Sequence, residues 1–145
     1  MWGWTWVTGE PIDSLMKIEH IAFNVADPKG VAAWYEQNLG MKIVRRKDVP
    51  PYMHFLADES GATLIEIYNK PPDQVPDYGS MDPLVFHLAF VSDDPTADKE
   101  RLLHAGAQLV NEMHTDAGDH LVMVRDPWGH ALQLCQRNQS MLVGA

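Results

Sequence analysis

The feature that most limits how this chain can fold is an internal repeat. The segment His20-Ile-Ala-Phe-Asn-Val-Ala-Asp-Pro28 recurs 67 residues further on as His87-Leu-Ala-Phe-Val-Ser-Asp-Asp-Pro95, with identity at five of nine positions. A chain that repeats itself folds as two similar units. At 145 residues it has the length of one ordinary domain, so both units must share one fold.

Each copy opens with an apolar run, Lys17 to Val25 and Leu84 to Val91, that suits a buried strand and stops at Asp-Pro. Asp27 and Asp94 supply N-cap oxygens, Pro28 and Pro95 preset the first helical turn, and Gly40 and Gly106 stand where a left-handed C-terminal residue belongs. Helices are therefore expected near 28–38 and 95–105. Val31, Trp34, Tyr35 and Leu39 recur at helical spacing in the first, and Ala97, Leu102 and Ala105 in the second, so one face of each sheet is covered.

Three short strand-like segments follow each helix: Lys42 to Lys47, Tyr52 to Ala57 and Ala62 to Tyr68, then Gln108 to His114, His120 to Arg125 and Ala131 to Gln136. Lys70 to Pro83 holds four prolines and no periodicity, the mark of a linker. The reading is an α+β fold of two tandem βαβββ modules that form a curved mixed sheet. Module one spans residues 16–70, the linker 71–83 and module two 84–137, with a tail at 138–145. Residues 1–15 lie outside the repeat. There Trp2, Trp4 and Trp6 alternate as on a strand with one aromatic face, which suggests an arm against a partner subunit.

The residue pattern excludes several function classes. A formal net charge of −9 opposes nucleic acid and anionic membranes, and no apolar run approaches the roughly 20 residues that span a bilayer. A single cysteine, Cys135, together with the lack of a leader-like N-terminus, points to a reducing, cytoplasmic setting. Gly-rich phosphate loops, Ser-His-Asp sets and CxxC pairs are all missing, so nucleotide-dependent and covalent mechanisms have no foothold.

Strand parity identifies the chemistry-bearing face. Side chains alternate along a strand, so Ile18, His20, Ala22 and Asn24 share one face of the first strand, opposite Ile21, Phe23 and Val25. The same parity sets Val85, His87 and Ala89 opposite Phe86, Leu88 and Phe90. With the helix on the phenylalanine side, both histidines face an uncovered groove. Glu66 falls on that face in Leu64-Ile-Glu-Ile-Tyr68, and its repeat-related position is Gln133, again polar between two leucines. A buried lone carboxylate is costly. Two imidazoles, a carboxylate and an amide oxygen suit one divalent ion of zinc, nickel, cobalt, manganese or iron. The four side chains are expected to converge in one coordination sphere. His54, in Tyr52-Met-His-Phe, is a further groove candidate as a second acid or base, and His114, His120, Tyr68 and Cys135 are weaker ones. Glu100 and His104 read as an exposed helix pair, and His130 is assigned no role.

Residues 16 to 137 resemble the vicinal oxygen chelate superfamily, which includes lactoylglutathione lyases, methylmalonyl-CoA epimerases, extradiol dioxygenases and fosfomycin and bleomycin resistance proteins. The resemblance rests on His20-Ile-Ala-Phe-Asn-Val with a helix ending Tyr35-Glu-Gln-Asn-Leu-Gly40-Met. It rests equally on Leu64-Ile-Glu66-Ile-Tyr-Asn69, Phe86-His87-Leu-Ala-Phe and Asp126-Pro-Trp-Gly-His-Ala-Leu-Gln133-Leu. It implies metal ligands at His20, Glu66, His87 and Gln133, and the last departs from the more usual Glu. With Gln there, Glu66 is the one base on the metal. The implied activity is isomerase or lyase chemistry of the lactoylglutathione lyase type, by proton abstraction next to a substrate oxygen held on the metal, with Glu66 and His54 as candidate catalytic groups. The other activities it allows are a metal-dependent dioxygenase, a thiol transferase, or a non-catalytic resistance-type protein that binds a small molecule. The implied partners are a small-molecule substrate and a second copy in a homodimer.

Overall fold

A computed structural model of the chain describes Thr5, Gly9 and residues 15–144. The aromatic arm expected at Trp2, Trp4 and Trp6 lies outside these residues. The order is β1 (His20–Asn24), α1 (Pro28–Leu39), β2 (Lys42–Arg46), β3 (His54–Ala57), β4 (Leu64–Tyr68), β5 (Leu88–Val91), α2 (Pro95–His104), β6 (Gln108–His114), β7 (His120–Arg125) and β8 (Ala131–Gln136). This is βαβββ twice. Asp27 and Asp94 cap their helices by accepting from the backbone N–H of Gly30 and Ala97, and Gly40 ends α1 in the left-handed region at φ 69°.

The strands form two four-stranded sheets, ordered β1-β4-β3-β2 and β5-β8-β7-β6. In each, the first strand runs parallel to the last, and the remaining pairs are antiparallel. The mixed sheet expected of two tandem βαβββ modules is thus built as two four-stranded mixed sheets, one per module, and among the described residues no ladder joins them. The opening strands are also shorter than their apolar runs. β5 starts at Leu88 because a turn at Asp82, whose carboxylate and carbonyl take the N–H groups of Leu84 and Val85, occupies the preceding residues.

Each helix lies on its own sheet, and the helix-covered sides meet in one shared core. Val31, Tyr35, Leu56 and Ile67 from module one and Leu102, Val122, Val124 and Leu132 from module two are all fully buried within it. Burying each such aliphatic side chain stabilises the fold by about 1.5–3 kcal/mol. The contacts across the joint come from helices, turns and helix-covered faces. The Trp34 indole donates to the Ala105 carbonyl at 2.9 Å, Arg101 donates to the Asn38 carbonyl, and the Phe23 ring packs on Phe86 and His130.

A buried polar triad closes the same joint. The Tyr35 hydroxyl donates to Asp126 Oδ2 at 2.8 Å, His130 Nδ1 donates to that oxygen at 2.7 Å, and Asp126 Oδ1 takes the backbone N–H groups of Trp128 and His130. Burial, then the adjacent Asp126 charge, push the Tyr35 phenol well above its usual range. His130, given no role from sequence, is thus a structural residue only 1% exposed.

The linker is fastened rather than loose. Arg125 donates to the carbonyls of Tyr78, Met81 and Gly129, and the Tyr78 hydroxyl donates to the Asn24 carbonyl at 2.6 Å. Gly129, at φ 92°, lies so close to Gly79 that a Cβ would sit 2.8 Å from its backbone, so the linker and the β7–β8 turn can touch only through glycine. The expected Glu100–His104 side-chain pair is absent. His104 Nδ1 donates to the Glu100 carbonyl instead, the local bond available one helical turn back. Among the described residues no helix is long and apolar enough to cross a membrane.

Candidate metal centre

β1 and β4 run side by side, and their register sets Ala22 opposite Glu66 and His20 opposite Leu64. His20 and Glu66 therefore share the face that α1 leaves open, and His20 Nε2 lies 3.1 Å from Glu66 Oε2. His20 Nδ1 lies 3.0 Å from Glu19 Oε1. A carboxylate only accepts, so Nδ1 carries the hydrogen there. Nε2 likewise faces a carboxylate oxygen, Glu66 Oε2, so a ring proton or a cation must lie between those two atoms. Ligands about 2.0–2.2 Å from a divalent ion stand roughly 3 Å apart, so the observed separation fits a shared cation. Phe55, the cross-strand neighbour of Glu66, meets the His20 ring edge-on at 5.6 Å and shields one flank. The Glu66 side chain is only 13% exposed.

Module two repeats half of this pattern. Gln133 pairs with Ala89 on the open face of β8, and His87 stands two residues before Ala89. The His87 Nδ1 donates to the Pro83 carbonyl at 2.9 Å, which again leaves Nε2 as the free ring nitrogen. An imidazole whose second nitrogen is tied to an oxygen acceptor is oriented for ligation. Gln133 Oε1 accepts from the Cys135 thiol at 3.4 Å. Burial pushes that thiol up from its ordinary value, so it stays protonated and is a poor soft ligand at neutral pH.

The chain brings the two members of the first pair together but does not unite the two pairs. Among the described residues, the one group of three or more His, Cys, Asp or Glu side chains with ligand atoms within 4.8 Å of one another is Glu112, His114 and His120. His87 therefore does not join His20 and Glu66 within a single chain. The reason lies in the fold: the modules meet through their helix-covered sides, and the open faces take no part in that joint.

A family model described as the Glyoxalase/Bleomycin resistance protein/Dioxygenase superfamily matches residues 17–134. The chain belongs to that superfamily. It is 28% identical over 129 residues to a lactoylglutathione lyase of Neisseria meningitidis serogroup A, covering 84% of this chain and 91% of that one. It is 30% identical over 132 residues to a probable lactoylglutathione lyase of Vibrio cholerae, covering 86% and 93%. Among solved structures, a glyoxalase family protein from Bacillus cereus superposes with TM-score 0.72 at 16% identity over 89% of this chain and 99% of that one. Glyoxalase I from Zea mays gives TM-score 0.66 at 25% identity over 86% of this chain and 46% of that longer one.

Within this glyoxalase-superfamily fold the remaining sequence candidates separate cleanly. His54 does not reach the groove: it pairs with Ile67 on the helix-covered face, is 3% exposed, and binds the Tyr52 carbonyl through Nδ1. Phe55 is the residue that stands beside Glu66. His114 and His120 are also on the covered side, since His120 shares its face with the buried Val122. Tyr68 and Cys135 do share the open faces with Glu66 and Gln133. A cavity of about 350 Å³ beside Cys135 is lined by Ala89, Val91, Arg137, Met141 and Leu142, within the usual size range of a small-molecule site.

Proposed function

We propose that this protein is a divalent-metal-dependent lyase or isomerase of the lactoylglutathione lyase type, acting on a small molecule whose C–H bond adjoins a carbonyl. The observation that carries the proposal is the His20–Glu66 pair, held 3.1 Å apart on an open face and matched across the repeat by His87 and Gln133. Those four residues would hold the ion. When bound, it would lower the cost of negative charge on a substrate oxygen.

The rest of the reaction falls to Glu66. It takes the proton from the carbon beside the substrate carbonyl and returns it to the neighbouring carbon, so that a hemithioacetal becomes a thioester of a hydroxy acid with no net change in atoms. Gln133 has no proton-accepting oxygen at neutral pH, which leaves Glu66 as the one base in the set. Phe55, paired across the strands with Glu66 and edge-on to His20, covers one side of the pair.

The site is completed by a second copy of the chain, with His20 and Glu66 of one protomer meeting a partner's module two. Support comes from the edges that carry the half-sites. β1 and β5 are edge strands, flanked by exposed Ile18 and Ile21 on one and by Leu84, Val85 and Val91 on the other. An uncovered apolar edge invites strand or sheet pairing.

The test combines elemental analysis of protein purified without chelators with a hemithioacetal isomerisation assay on the parent and Glu66→Gln. The proposal expects metal in both and a rate about 10²-fold lower in the variant, the scale of a lost general base. Full activity in Glu66→Gln would place the base elsewhere. A parent that holds no metal yet binds a small ligand would favour a resistance-type binding protein.

A further inference from the structure

On the covered side of module two, the face of the sheet opposite Gln133, β6 and β7 meet at a hairpin whose last rung sets His114 directly opposite His120. The two imidazoles stack with centroids 4.2 Å apart and planes within 18°. Glu112 shares their face, two residues before His114, and its Oε1 lies 2.7 Å from His120 Nε2. One ligand atom from each of the three residues lies within 4.8 Å of the others.

We propose that Glu112, His114 and His120 form a second divalent-cation site, taking zinc or a cation of similar borderline character and clamping the hairpin shut. Two imidazoles and one carboxylate are the three-ligand set that leaves a fourth position for water. Glu112 is already oriented for it: Lys99 Nζ holds the other oxygen, Oε2, at 2.8 Å, so Oε1 alone turns to the rings. This outer contact fixes a ligand in the way that hydrogen-bonded ligands are fixed in known sites.

The bonding of the histidines points the same way. Among the described residues, the His114 ring makes no hydrogen bond, and its ligand nitrogen lies within 4.8 Å of the ligand atoms of Glu112 and His120. A cation would use that idle nitrogen. It would also join β6 to β7, and through Lys99 the hairpin to α2. The His120 side chain is only 11% exposed, so an ion there would be partly shielded from water while the His114 side stays open for entry.

The experiment is a zinc titration of full-length, tag-free protein stripped with chelator, by calorimetry and equilibrium dialysis, on the parent, His114→Ala and His87→Ala. His114→Ala is expected to bind one ion per chain fewer than the parent, whereas His87→Ala keeps the ion that His114→Ala loses. Cobalt substitution in the His87→Ala background should give a d–d absorption that disappears on adding His114→Ala. Zinc uptake by His114→Ala equal to that of the parent overturns the proposal and leaves an ion-pair network only. Should circular dichroism show His114→Ala to be unfolded, Glu112→Gln replaces it with the same expected loss. A parent that binds a single ion, abolished by His114→Ala and kept by His87→Ala, supports this site and removes the quartet.

Discussion

If each coordination set is divided between two chains, defects in different halves should complement. His20→Ala spoils module one and His87→Ala spoils module two, so each homodimer carries a broken ligand set at both of its sites. In a mixed dimer, the intact module one of the His87→Ala chain faces the intact module two of the His20→Ala chain, which restores one site, while the other site loses both histidines. Random pairing of the two chains in equal amounts makes about half of all dimers mixed, and so restores about a quarter of all sites in a closed two-fold assembly. Purified mixed dimer, selected with two different affinity tags, should reach about half of the parent's activity per chain by the same argument. Hemithioacetal isomerisation is the readout of choice, because total bound metal would also count ions at Glu112, His114 and His120. Were the site built within one chain, every protomer would remain defective and mixing would restore nothing. Activity in the mixed dimer no higher than in the parent variants would therefore refute the shared site.

Other outcomes follow from the same geometry. Gln133→Glu should keep the metal and at least the parent's activity, checked by elemental analysis and the isomerisation rate, because a carboxylate can coordinate wherever the amide oxygen does. Tyr35→Phe removes a buried hydrogen bond to a carboxylate, worth about 1.5–3 kcal/mol, and should lower Tm by roughly 3–12 °C in a domain of this size. That variant should also lose less stability than the parent as pH rises past about 10. The folded state holds the Tyr35 proton more tightly than the unfolded chain does. The parent's advantage is thus fully present below the unfolded phenol value and disappears as pH rises through the folded one.

Much of this was legible in the chain. The repeat dictated βαβββ twice, and parity within single strands put His20 and Glu66 on the open face of one sheet and Gln133 on that of the other. Parity does not survive a loop, however. His54 follows a turn in which Tyr52 takes a positive φ of 56°, and its face was settled only by the pairing of β3 with β4. Nor does a repeat reveal how its copies dock. That depends on rigid contacts such as Trp34 with the Ala105 carbonyl and Tyr35 with Asp126, 91 residues apart in sequence, for which no periodicity exists. Convergence of the quartet fails within one chain for the same reason: strand patterns specify which face a side chain occupies, not which way that face points.

The Tyr35–Asp126–His130 joint also records a loss of interchangeability. At the repeat-related positions stand Leu102, Glu59 and Thr63, none of which could reproduce the bonds. Leu102 is wholly buried, and Glu59 sits in an exposed turn. Two copies of module one could not lock together in this way, nor two copies of module two. The halves of the ancestral duplication have become key and keyhole, so recombination that swapped one for the other would preserve the strand pattern and destroy the fit.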